Sequence, residues 1–91
     1  MTSRNFQSGQ NVDVDQVAER LTTASVGCQQ GVLIKALAAN SGTVYVGGST
    51  VSTTTGYPLA AGEEVFISIE NLDDVYVIGS ADNQSVAFLA Y

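Results

Sequence analysis

From Gly31 to Tyr91 the chain is a succession of short apolar and β-branched runs separated by small polar or glycine-containing turns, with almost no charge inside the runs. That spacing predicts an all-β domain. The expected fold class is an antiparallel β-sandwich or small barrel, jelly-roll-like, with a flexible N-terminal arm and one short helix.

The runs define faces. In Gly31 to Ala38, Val32, Ile34, Ala36 and Ala38 point one way and Leu33, Lys35 and Leu37 the other. Asn40-Ser41-Gly42 is a turn, and Thr43 to Gly47 returns, which predicts a hairpin. Residues 48–56 are a Ser/Thr-rich connection or a short edge strand around Val51. Pro58 has no N–H, so its segment belongs at an edge or crossover. In Glu64 to Glu70, Val65, Ile67 and Ile69 share one face, and Phe66, Ser68 and Glu70 share a wetter one. Val75 to Gly79 has no polar side. Ser85 to Tyr91 is apolar on both faces, as in a strand that is central in its sheet or covered by a partner.

The first thirty residues are less regular. Residues 1–11 are polar around one aromatic and are expected to be an arm, leaving 12–91 as a single β domain. Val14, Val17, Ala18 and Leu21 form the i, i+3, i+4, i+7 stripe of a short helix, with Asp13 and Gln16 placed as a capping box. Val12 to Asp15 also alternate like a strand; the helix is the preferred expectation. Thr22 to Cys28 reads as a strand.

Composition restricts function. Charged residues make up 13% of the 91-residue chain, about half the usual 25%, which suggests contact faces. Nine acids against three bases give a net charge of -6. A chain without a basic patch is a poor match for phosphate backbones or anionic lipid, so neither nucleic acid nor membrane is an expected partner. The N-terminal stretch lacks the apolar core of a signal peptide.

The catalytic possibilities are thin. There is no histidine to activate a serine or threonine, and the single cysteine, Cys28, supplies neither a disulfide nor a zinc set. Cys28 is expected to be a small buried hydrophobe. Asn11, Asp13 and Asp15 start like a calcium loop, but Gln16 and Thr22 stand where glycine and glutamate are needed. Gly47-Gly48-Ser49-Thr50 lacks the lysine of a phosphate loop. Glu63-Glu64 and Asp73-Asp74 are turn acids. No catalytic, cofactor-binding or metal-binding residue is expected, and the chain is not expected to be an enzyme. Tyrosines in or beside strands supply rigid contact area. The expected oligomer contacts are Tyr45, Tyr57, Leu89 and Tyr91; those of the arm are Arg4 and Phe6.

Four segments carry a family resemblance: Gly31 to Ala36 (GVLIKA), Thr43 to Gly47 (TVYVG), Gly56 to Glu63 (GYPLAAGE) and Val75 to Ser80 (VYVIGS). Over roughly residues 21–91 the chain resembles small β-sandwich structural proteins of tailed-bacteriophage virions. That resemblance implies a capsid decoration (cement) protein or head-fibre base on the outer capsid surface. The implied partners are the major capsid protein and other copies of the chain, as a homotrimer. A tail, neck or baseplate component is the alternative within the virion. A carbohydrate-binding module, with tyrosines stacking on sugars, is the alternative outside that class.

Overall fold

A computed structural model describes residues 7–23 and 26–91. Eight strands run in chain order: β1 (Gln7–Val14), β2 (Glu19–Arg20), β3 (Val32–Ala36), β4 (Val44–Gly47), β5 (Tyr57–Leu59), β6 (Glu64–Ile67), β7 (Tyr76–Gly79) and β8 (Gln84–Ala90). A 3-10 turn, Leu72–Asp74, precedes β7. The strands form two four-stranded sheets, ordered β1-β8-β3-β6 and β2-β7-β4-β5, and every pairing is antiparallel.

This order is the jelly-roll arrangement. The pairs β1–β8, β2–β7, β3–β6 and β4–β5 make one long ribbon with its tip between β4 and β5. Rolling the ribbon brings β8 onto β3 and β7 onto β4. The alternation in each strand makes that packing possible, since every strand offers one apolar face and the two faces meet as the core. Val14, Val32, Ile34, Ala36, Val86 and Ala90 from the first sheet pack with Val44, Val46, Leu59 and Val77 from the second. Leu21, Leu72 and Val75 close the core from the connections.

Several sequence expectations hold. β3 buries Val32, Ile34 and Ala36 and turns Lys35 out. Pro58 is on an outermost strand. β8, apolar on both faces, is central, between β1 and β3.

Others are corrected. No helix forms over residues 12–21. β1 runs through Val14, Asp13 N–H donates to Asn11 Oδ1 instead of Asp13 capping a helix, and Glu19–Arg20 pair with β7. Val14 and Leu21 are fully buried but Val17 of the same stripe is 72% exposed, so the stripe is not one face. Valine has only modest helix propensity, and ladder bonds to β7 and β8 outweigh it. The arm expected over residues 1–11 is also revised. Gln7 to Asn11 pair with Ala90 to Val86, and Phe88 lies over Gly9, where a Cβ would come within 2.8 Å of the ring. Arg4 and Phe6 lie outside the described residues.

The hairpin expected between β3 and β4 is absent, since the two strands belong to different sheets. Their connection is tied to β8 instead: Asn40 Nδ2 donates to the Ser85 carbonyl, Ser85 N–H donates to Asn40 Oδ1, and Gly42 N–H donates to Gln84 Oε1. The strand expected over Thr22 to Cys28 reduces, among the described residues, to an isolated bridge between Gly27 and Asn71.

Candidate interaction surface

The two sheets differ in what covers their outer faces. On the outside of β4, the 48–56 loop folds back so that Val51, 7% exposed, packs against Gly47 and Gly56. Ser52, Thr54 and Thr55 hold that loop through hydroxyl and backbone bonds among themselves. Tyr45, an expected contact residue, is beside the loop and half-buried. A Cβ on Gly56 would meet the Tyr45 Cβ at 2.6 Å.

No described segment covers the outside of the other sheet in the same way. One row of outward side chains crosses all four strands: Ser8, Leu89, Leu33 and Phe66. The next row is Gln10, Ala87, Lys35 and Glu64, which sets one cation directly across from one anion. Tyr91 follows β8, and its backbone bonds to Gly31 in both directions at 3.1 Å. Its ring meets Phe66 with centroids 5.9 Å apart and planes at 41°, a tilted aromatic pair. Phe66 is 44% exposed and Leu89 36% exposed. A shallow depression of about 270 Å³ lies between Leu33, Leu89, Ala87 and the Lys35–Glu64 pair.

Gly31 makes this face possible. Its φ is +152°, a conformation that L side chains rarely adopt. A Cβ there would fall 2.0 Å from the Ile67 carbonyl oxygen and 2.9 Å from Phe66 Cζ. The missing side chain is what lets Phe66 lean toward Tyr91.

A second apolar feature opens at the mouth of the sandwich, where β5 and β6 are the outermost strands. β5 is only three residues long, so Val65, Ile67 and Ile69 are packed on the core but half-covered. A slot of about 390 Å³ runs between them and Val46, Tyr57 and Val75. Tyr57 is opposite Val46, so it points to the inner side, yet it is 59% exposed because no strand lies beyond it.

The structure therefore brings Leu89 and Tyr91 together, places Tyr57 at the slot, and puts Tyr45 on the opposite sheet. Leu33 and Phe66, not singled out from sequence, complete the outer face. Their outward orientation was visible in the alternation, but the neighbourhood of β3, β6 and β8 was not.

Charge and thiol chemistry lie elsewhere. Arg20 pairs with Asp73. Burial, and then the Asp15 and Asp13 carboxylates, push the Glu19 carboxyl above its ordinary range, against a hydrogen bond from the Asp15 backbone that lowers it. Cys28 is buried, with Sγ 3.0 Å from the Ile69 carbonyl that accepts its S–H; burial and the nearby Glu70 push the thiol upward. Among the described residues no group of three or more His, Cys, Asp or Glu side chains is placed to hold a metal ion.

Compared with protein-family models, curated proteins and solved structures, the chain matches none of them.

Proposed function

We propose that this protein is a structural assembly module that docks through the outer face of the β1-β8-β3-β6 sheet. In the setting that the phage resemblance implies, it decorates the outside of a tailed-bacteriophage capsid, where a homotrimer bridges neighbouring capsid subunits. The observation that carries this reading is the row of Leu33, Phe66 and Leu89, with Tyr91 beside it, which no described segment covers. Large apolar and aromatic side chains gathered on one flat sheet face suit a protein partner. The Lys35–Glu64 pair keeps the face locally balanced on a chain of net charge -6. Jelly rolls serve in viral capsids and in lectins alike, so the fold supports this role without selecting it. Each contact is modest, and several per oligomer act together by raising effective concentration.

The test is co-sedimentation with capsids lacking the protein, using the double variant Phe66→Asp, Leu89→Asp. Both side chains are partly exposed but Phe66 also meets Tyr91, so the melting temperature should fall by about 10 °C while circular dichroism shows the variant folded at the assay temperature. Attachment should fall by about a hundredfold or more once the loss at each site is multiplied across an oligomer. Undiminished capsid binding by a folded double variant would refute the face. A removal experiment at the N-terminus must stop at residue 6, because residues 7–11 are part of β1.

A further inference from the structure

Among the described residues, four strand edges border the two sheets, and three are guarded against pairing. β5 carries Pro58, β2 has two residues, and β1 is polar with an irregular register between Asn11 and Val14. β6 is the exception: Glu64, at its start, is its only charged residue.

The backbone phase of β6 follows from its partner. Ala36 N–H donates to the Glu63 carbonyl at 2.9 Å, and hydrogen-bonded pairs alternate along an antiparallel ladder. Val65 and Ile67 therefore spend their N–H and C=O groups on Ile34 and Val32. The Ile67 carbonyl does point at β3, toward Gly31. The N–H and C=O groups of Glu64 and Phe66 consequently face away from the sheet, along the free edge. Immediately inside that edge is the apolar slot between Val65, Ile67 and Tyr57.

We propose that β6 is a strand-addition site for an extended segment of another protein. The added strand pairs with the outward groups of Glu64 and Phe66, and its alternate side chains, aliphatic in type, enter the slot. Charge identifies the occupant. Exposed acids stand at both ends of the strand: Glu63 at one, next to the balanced Lys35–Glu64 pair, and Glu70 and Asp74 at the other. A second copy would bring the same acids against these ends, and each chain already carries a net charge of -6. The fitting partner is apolar at every second position and basic at its ends. This holds whether or not that partner belongs to a capsid.

The probe is a blocked synthetic heptapeptide, Lys-Val-Thr-Val-Thr-Val-Lys, titrated into the full chain and followed by calorimetry and amide hydrogen exchange. Binding should be about tenfold tighter than for the same peptide with glutamate at both ends, the size expected from an exposed charge pair at each end. Exchange at the Phe66 and Glu64 amides should slow on binding, while Val65 and Ile67, already bonded to β3, should change little. Phe66→Thr keeps the outward N–H and should bind within about threefold of wild type, whereas Phe66→Pro removes it and should lose binding, since proline is tolerated where the N–H faces solvent. The exchange pattern of the wild-type protein decides the matter even if the proline variant fails to fold. Absence of binding, equal affinity for both charge variants of the peptide, or unchanged exchange at Phe66 would overturn the proposal. So would a concentration-dependent dimer in sedimentation that Phe66→Pro abolishes, which would make a second copy the occupant.

Discussion

Replacing Gln84 by leucine should cost this small domain a large share of its stability. Gln84 is 1% exposed and is the one buried polar residue among the described residues. Its Oε1 accepts from Gly42 N–H at 2.8 Å, and its Nε2 donates to the Asp82 carbonyl at 2.9 Å and to Ser41 Oγ at 3.1 Å. Leucine fills a similar volume but makes none of these bonds. At about 1 kcal/mol net for each bond, the loss is about 3 kcal/mol. Gly42 is only half-buried, so water can reach its stranded N–H, which keeps the figure from rising much further. A domain of this length has roughly 5–14 kcal/mol in total. A loss of that size lowers the melting temperature by about 12–24 °C. Thermal melts by circular dichroism and urea titration measure it, and the urea dependence should keep its slope because the native surface is unchanged. Gln10→Leu, on an exposed position of β1, is the control and should stay within about 0.5 kcal/mol. A Gln84→Leu loss below about 1 kcal/mol would refute the view that this side chain pins the β3–β4 connection to β8.

Two further outcomes bear on the same architecture. Gly31→Ala should destabilise by about 3 kcal/mol or more, because its Cβ meets the Ile67 backbone, which cannot swing aside as the Phe66 ring can; a near-normal denaturation midpoint would show that β3 and β6 can slide apart there. Glu19→Gln should raise the melting temperature near neutral pH. Burial leads the causes that lift the folded-state pKa of Glu19 above 4.5, so the wild type loses stability as pH rises through that value. The amide keeps an acceptor for the Asp15 backbone, and its advantage should vanish at about pH 3, where both side chains are neutral. Melts at the two pH values test this, and an advantage that persists in acid would place its origin in packing.

Much of the strand content was legible in the chain itself. A period of two in Val32 to Ala36, Glu64 to Ile67 and Val86 to Ala90 fixes which side chains point inward, because a strand has only two faces. The lack of a polar side in β8 left a central place or a covering partner, and the missing N–H of Pro58 left an edge or a crossover; the sheet order selects the central place and the edge. What a local pattern cannot encode is which strand lies beside which. Asn40-Ser41-Gly42 has the composition of a hairpin turn, yet its polar groups are spent on Gln84 and Ser85, more than forty positions away. Val14 and Leu21 satisfy a helical stripe, but ladder bonds to β8 and β7 outweigh it. The outer row of Leu33, Phe66 and Leu89 and the open edge of β6 exist only once the ribbon has rolled. Side-chain orientation is set within a few residues by backbone geometry, whereas adjacency is set by the burial of distant faces against one another.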